Sequence, residues 1–337
     1  MAKNALKILV LSDLSVQPPE DHDFSTFFGG EEWKAESQLI RTLRSLGHEV
    51  RPFGIFDSVE PLLEELRTRK PDLVFNLCEA VHEDRHQEPN VVSLLELLKI
   101  PYTGAPSRAL QLCKDKGLTK KILAFHDIRV PQFTVSKRSQ PIRTLGEFRY
   151  PALVKPLNLE ASEGIAQISL CENEKDTLER ARFIHNSLET DAIIEEYIEG
   201  RELYVSLLGS NKKVKVFPSR ELTFGENTED SPKFATYKAK WDDAYRKRWG
   251  IKTRTARGLP TGIVEKLEAV SRDIYDLLQI GGYARLDFRL MADGTLVFIE
   301  ANPNPSLDRE DDFALSAEKG GLPYDELVQQ IVQESFI

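Results

Sequence analysis

Apolar positions near the start of the chain fall into two alternating rhythms. Leu6 to Leu11 is a short aliphatic run, whereas Glu31 to Leu46 spreads charges around an apolar stripe and stops at Gly47. The first pattern predicts a strand and the second a helix that the glycine ends. Glu49 to Phe53 predicts a second strand, Val59 to Arg69 a second helix opened by Asp57, Ser58 and Pro61, and Asp72 to Leu77 a third strand. Strand, helix, strand, helix, strand is the order of a parallel sheet. Beyond a polar loop from Glu79 to Pro89, Val91 to Leu98 predicts a striped helix, and Ile100 to Gly104 the next strand and turn.

From Lys114 the rhythm changes. A Lys-rich helix is expected up to His126, an extended stretch over Val130 to Val135, and strands at Ala152 to Lys155, Ile165 to Leu170 and Ala192 to Tyr197, with a helix from Thr177 to Leu188. After Gly200 come a strand over Glu202 to Leu208, a long polar segment from Glu226 to Pro260, and a helix from Gly262 to Leu278. Ile263, Leu267, Val270, Ile274 and Leu278 give that last helix one apolar face. The polar segment exceeds an ordinary connection and reads as a functional loop. The pattern predicts a mixed α/β chain of three units, 1–113, 114–200 and 201–337.

Composition narrows the classes. With 337 residues, 41% hydrophobic and 29% charged, the chain can bury a globular core of more than one unit. A net charge of -9 argues against a general nucleic-acid binder. No apolar run approaches a membrane span, and Met1 to Val10 lacks a signal's apolar stretch, so a cytoplasmic protein is expected. Cys78, Cys113 and Cys171 are too few and too scattered for a disulfide scaffold and read as reduced core thiols.

Chemistry concentrates near the C-terminus. Gly282 to Leu290 alternates, with Ala284, Leu286, Phe288 and Leu290 on one face and Arg285, Asp287 and Arg289 on the other. Asp293-Gly294 predicts a hairpin turn into a strand over Leu296 to Glu300. That turn sets Asp287 opposite Glu300 and Arg285 opposite Asn302. Two facing carboxylates repel unless a cation lies between them, and with an amide oxygen they form a hard ligand set suited to Mg²⁺. A hairpin face neutralised by Arg285 and Arg289 would carry the same pattern. Lys155 leaves its strand just before Pro156 and a loop, a good place to hold phosphate. His82-Glu83-Asp84-Arg85-His86 fits a zinc-hydrolase spacing, yet the stretch has no apolar face for a helix.

Taken in order, several stretches resemble the ATP-grasp superfamily, in its D-alanine-D-alanine ligase-like branch. They are Leu94 to Gly104, Asp115-Lys116 with Thr119-Lys120, Pro151 to Pro156, Glu195 to Glu202, Arg285 to Phe288 and Glu300 to Pro303. The resemblance implies a Rossmann-like parallel-sheet domain followed by two ATP-grasp subdomains that close on ATP. It assigns Lys116, Lys155 and Ser162 to the phosphate side, Glu196, Tyr197 and Ile198 to the adenine linker, Glu202 to the ribose and Phe234 to packing near the base. Lys240 corresponds to the lysine of the family's mobile loop. Asp287, Glu300 and Asn302 match its Mg²⁺ ligands, with Mn²⁺ an alternative and two ions expected, and Arg285 would stabilise charge at the reacting centre.

The chemistry implied is ATP-dependent joining of a carboxylate to an amine through an acyl phosphate, on small amino-acid-like substrates, with neither nucleic acid nor membrane as partner. A homodimer is also in keeping with the branch. The substrate half departs from the pattern: Asp13 to Ser25 lacks the glycine-rich turn, Ala161 stands where a serine is expected, Trp241 follows Lys240, and Pro305-Ser306 replaces Pro-Gly. Glu31 or Glu36 could take over the lost acidic role. Synthesis of D-alanyl-D-alanine itself and a non-catalytic ATP-binding regulatory module are the competing readings.

Overall fold

A computed structural model describes residues 5–159, 162–210, 213–225 and 234–336. The first part is β1 (Lys7–Asp13), α1 (Lys34–Ser45), β2 (Glu49–Ile55), α2 (Glu60–Arg69), β3 (Leu73–Asn76) and α3 (Glu88–Leu97). Its three strands run parallel in the order β2-β1-β3, as the alternating rhythm predicted. Pro52 sits in β2, which has a partner on one side only, so its missing N–H breaks no ladder. Ile100 to Gly104 forms no strand: Tyr102 makes a single bridge to Val74, because Pro101 beside it cannot donate.

Next come α4 (Ser107–Lys114), which the sequence reading passed over, α5 (Lys116–Phe125), β4 (Phe133–Ser136), β5 (Ala152–Pro156), β6 (Leu170–Cys171), α6 (Glu174–Ser187) and β7 (Ala192–Glu196). These four strands make an antiparallel sheet, β4-β7-β5-β6. The strand expected over Ile165 to Leu170 is mostly a 3-10 turn at Gln167–Ser169, closed by the Ala166 N–H donating to Ser169 Oγ at 3.1 Å.

The third part holds β8 (Arg201–Gly209), β9 (Lys215–Val216), β10 (Arg220–Thr223), α7 (Tyr237–Trp241), α8 (Asp243–Arg248), β11 (Lys252–Thr255), α9 (Ile263–Leu277), β12 (Gly282–Leu290), β13 (Leu296–Pro303), α10 (Asp312–Lys319) and α11 (Tyr324–Glu334). Its sheet runs β11-β10-β8-β12-β13 with β9 on β8. The polar segment expected as one loop is therefore partly ordered structure. Thr236 caps α7 by accepting from the Ala239 N–H, and Asp242 caps α8 by accepting from Tyr245; residues 226–233 lie outside the described ones.

Packing crosses these parts. Phe313, Leu327, Val328 and Ile331 from the last two helices join Ile8, Leu39 and Phe53 in one core, so the first sheet is covered by residues from the chain's far end. Each such aliphatic side chain contributes about 1.5–3 kcal/mol on burial. Gly104, at φ +97, lies where a Cβ would meet Asn304 at 2.3 Å, and Gly282 would meet Gly104 itself at 2.9 Å. Side chains at either position would push β12 and β13 away from the first part. The three cysteines are buried, and among the described residues no helix is long and apolar enough to cross a membrane.

Candidate active site

The β12–β13 hairpin sets the centre. Asp287 faces Glu300 and Arg285 faces Asn302, the pairing read from the sequence, although the turn differs from the expected one. Nearer the tip Phe288 faces Phe298 and Leu290 faces Leu296, so the loop is longer than two residues and a bulge at Ile299 restores the register. The charged face is not solvated, as Asp287 and Arg289 are only 4% and 5% exposed.

Beside it lies a cleft of about 780 Å³ between the second and third sheets. It brings together Lys116, Lys155, Ser162, Glu196, Tyr197, Ile198, Glu202, Phe234, Lys240, Asp287 and Glu300. Phe234 meets the Tyr197 ring edge-on at 6.0 Å, and Ile198, Leu153 and Ile299 add apolar lining to the same cleft. Arg289 donates to Glu202 at 2.7 Å, whose other oxygen accepts from Tyr204 Oη at 2.8 Å. Lys116 donates to the Leu159 and Leu157 carbonyls. Ala161 lies outside the described residues.

Arg285 and Asn302 line a second cleft of about 1600 Å³, and Lys240 is common to both. The hairpin thus divides two adjoining spaces. Arg285 grips both oxygens of Asp287, at 2.8 and 3.0 Å, and lies 4.8 Å over the Tyr204 ring. Burial lifts the Asp287 carboxyl to about 6 despite Arg285, and Glu300 adds to the rise. For Glu300 burial acts the same way, but Lys116, Lys155, Lys240 and Arg285 outweigh it and hold the group below its usual range.

Strand parity moves one role. Glu196, expected at the adenine linker, turns its carboxylate to Arg129 and to Arg149 at 3.2 Å. Its neighbour Glu195, on the strand's other face, bridges Lys155 at 3.0 Å and Lys120 at 2.9 Å. Lys120 and Glu195 were visible only as parts of motifs. Period-two alternation was the signal: Glu195 pairs with Leu153, two residues from Lys155 and on the same face. Lys120 also donates to the Ile299 carbonyl at the bulge, tying the two sheets together beneath the cleft. The zinc spacing dissolves. His82 and Glu83 take positive φ and residues 85–87 form a 3-10 turn, so the imidazoles share no helical face.

Comparison with known proteins follows this geometry. Residues 94–333 match the family described as D-ala D-ala ligase C-terminus. The chain belongs to that family. Among similar proteins, an uncharacterised protein, y4sG, of Sinorhizobium fredii is 29% identical over 87% of this chain and 85% of its own length. The D-alanine--D-alanine ligase of Aquifex aeolicus is 26% identical over 89% of this chain and 94% of its own. Among solved structures, the Bacillus anthracis D-alanine--D-alanine ligase complexed with ATP superposes with a TM-score of 0.73 at 20% identity, covering 98% of each chain. The Enterococcus faecalis VanG D-Ala:D-Ser ligase gives 0.70 at 18% identity, over 98% of this chain and 100% of its own. At those identities the superpositions establish the ATP-grasp ligase fold.

Proposed function

We propose that this protein is an ATP-dependent ligase joining an amino-acid-like carboxylate to an amine. The carrying observation is the in-register pair Asp287 and Glu300, standing between a lysine-lined cleft and a second cleft that share Lys240. Family membership supports the same reading.

The donor set fits a divalent cation. Lys116, Lys155, Lys240 and Arg289 line the first cleft against Glu163, Glu195, Glu196, Glu202, Asp287 and Glu300. A triphosphate entering so acidic a space needs added positive charge, and Asp287, Glu300 and the Asn302 amide are hard ligands for Mg²⁺ or Mn²⁺. Asn302 Nδ2 is buried without a partner, a donor that a phosphate or carboxylate oxygen of the ligand would complete while its Oδ1 would be left for the ion. When bound, the ions would neutralise the nucleotide's phosphates. Arg285 donates one bond to each Asp287 oxygen, which leaves each oxygen a second lone pair that could face an ion, and the guanidinium would also be placed to meet the reacting carboxylate.

In this reading the apolar wall of Phe234, Tyr197 and Ile198 takes adenine, and Glu202, oriented by Arg289, takes the ribose. Glu196 contributes through its backbone. Lys116, Lys155 and Ser162 hold phosphate, and Lys240 on α7 reaches it from the loop side. The acid's carboxylate, held in the second cleft by Arg285, attacks the γ-phosphorus and ADP leaves. The amine then displaces phosphate from the acyl carbon and loses a proton, so positioning and charge neutralisation suffice without a protein nucleophile. The units 1–113, 114–200 and 201–337 would move as bodies during closure. Formation of D-alanyl-D-alanine is a second reading, favoured by the names of relatives such as the Aquifex aeolicus enzyme.

The test is ADP release with Mg-ATP across paired D- and L-amino acids and short peptides, with mass spectrometry of the product. An amide formed from one pair is the expected result; ATP binding with no ADP release from any pair would overturn the reading.

A further inference from the structure

Lys120 lies on α5 about one helical turn after Lys116 and on the same face. Lys116 lines the first cleft, whereas Lys120 is 0% exposed and sits behind the cleft wall. An ammonium shut away from water is costly unless its donors are taken up. That of Lys120 meets Glu195 Oε1 at 2.9 Å, donates to the Ile299 carbonyl and lies 5.8 Å from the centre of the Phe298 ring. Ile299 is the bulge residue: Asp287 faces Glu300 and Phe288 faces Phe298, so nothing on β12 stands opposite it. A bulge takes backbone groups out of the ladder, and they need partners elsewhere. Lys120 takes the Ile299 carbonyl, while the preceding Phe298 N–H donates to the Arg129 carbonyl at 2.9 Å. Two consecutive residues at the bulge are thus fastened by α5 and the segment just after it.

Resting on the ligase reading, we propose that Lys120 is a positioning residue of this site: by holding the Ile299 carbonyl it fixes the bulge that sets Glu300 opposite Asp287, and so aligns the carboxylate pair for its cation. Parity shows what the bulge does. Without it, the pairing of Phe288 with Phe298 would place Ile299 opposite Asp287 and Glu300 opposite Leu286, which is 0% exposed on the core face. The bulge absorbs one residue, so the apolar pairs near the tip and the charged pair at the site both keep their faces. Glu195 in turn fixes where the ammonium sits. Its second oxygen holds Lys155 at 3.0 Å, so Glu195 keeps a counter-charge when Lys120 is replaced. The effect of replacing Lys120 therefore falls on Glu300 and the cation more than on Lys155.

A magnesium titration of ATP binding to the full chain, read by calorimetry, would compare the unaltered protein, Lys120→Met, Glu300→Gln and the double variant. Lys120→Met should raise the magnesium midpoint about tenfold, as expected for a residue that orients a metal ligand. Affinity for ATP in the presence of a chelator should change little. In the Glu300→Gln background Lys120→Met should add little further shift, because the ligand it orients is already gone. Lys120→Gln, shorter but still a donor, should fall between, and it is read in place of Lys120→Met if circular dichroism shows that variant unfolded. An unchanged midpoint, ATP binding that needs no magnesium in the unaltered protein, an equal loss with and without magnesium, or a shift repeated in full in the double variant would overturn the inference. The last two are what a lysine that only braces the fold would give. ADP release tests the ligase reading apart from this. The expected midpoint shifts with no turnover from any amine would sink the ligase and leave the positioning role, whereas turnover with an unchanged midpoint in Lys120→Met would do the reverse.

Discussion

The two clefts on either side of the β12–β13 hairpin are built by different means. In the nucleotide-side cleft, charges are set by strand register and locked to one another: Glu195 to Lys120 and Lys155, Glu202 to Arg289, Asp287 to Arg285. The second cleft adds to the strand residues Tyr204, Arg220, Thr253 and Arg285 a set of scattered segments, with Glu79 and Arg85 from a loop of the first part, Lys240, Trp241 and Arg246 from α7 and α8, and residues 302–306 from the end of the hairpin. A register-built site changes only if a strand slips, which would turn every side chain over. A loop-built wall can alter one segment at a time.

The contrast can be broken most severely at Glu195. Glu195→Gln leaves Lys120 and Lys155 buried without their shared counter-charge, and should cost about 3–5 kcal/mol of stability, read by urea unfolding, along with nucleotide binding. Arg285→Lys tests the wall common to both clefts. It loses the two-pronged grip, and turnover should fall about 100- to 1000-fold while ATP affinity changes little, a split that steady-state kinetics reads directly. Glu300→Gln, confined to the nucleotide side, should weaken Mg²⁺ dependence by about 10- to 100-fold in a magnesium titration of ATP binding.

A subtler effect comes from Lys120. Burial pushes its ammonium down to about 8 against the pull of Glu195, whereas the unfolded chain keeps that proton up to 10.5. Between those values the unfolded state binds more protons, so this group's contribution to stability rises with pH. Lys155, shifted upward because Glu195 and Glu300 outweigh its burial, acts in the opposite sense only above 10.5. Lys120→Met should remove the rise across the window between about 8 and 10.5, measured as unfolding free energy against pH. Smallest of all, Arg85→Met in the second cleft breaks a partly exposed pair with Glu79 and should cost about 1 kcal/mol or less. A larger loss would mean that the second cleft is as tightly braced as the first.

Legibility followed the same divide. Asp287 opposite Glu300 was readable because alternation and a turn residue determine which side chains face each other. The reading survived a longer loop because the bulge at Ile299 offset it. The bridging role of Glu195 was not read, since adjacent identical residues look alike until strand parity separates them. The strand expected over Ile165 to Leu170 failed for a related reason: a short apolar run with Gln167 and Ser169 inside it suits a capped turn as well as a strand.

Hydrophobic rhythm by itself determined the parallel first sheet, the charged hairpin and the lysine next to the end of β5, because each depends on neighbours within one strand or one turn. Only the tertiary structure decided that α10 and α11 close the first core, that Lys120 braces two sheets through Glu195 and Ile299, and that Glu36 and Asn76 face one cavity with Ser306. Those contacts join residues tens to hundreds of positions apart. No local periodicity encodes them, since they arise when separately formed surfaces bury one another and their polar groups must find partners where they meet.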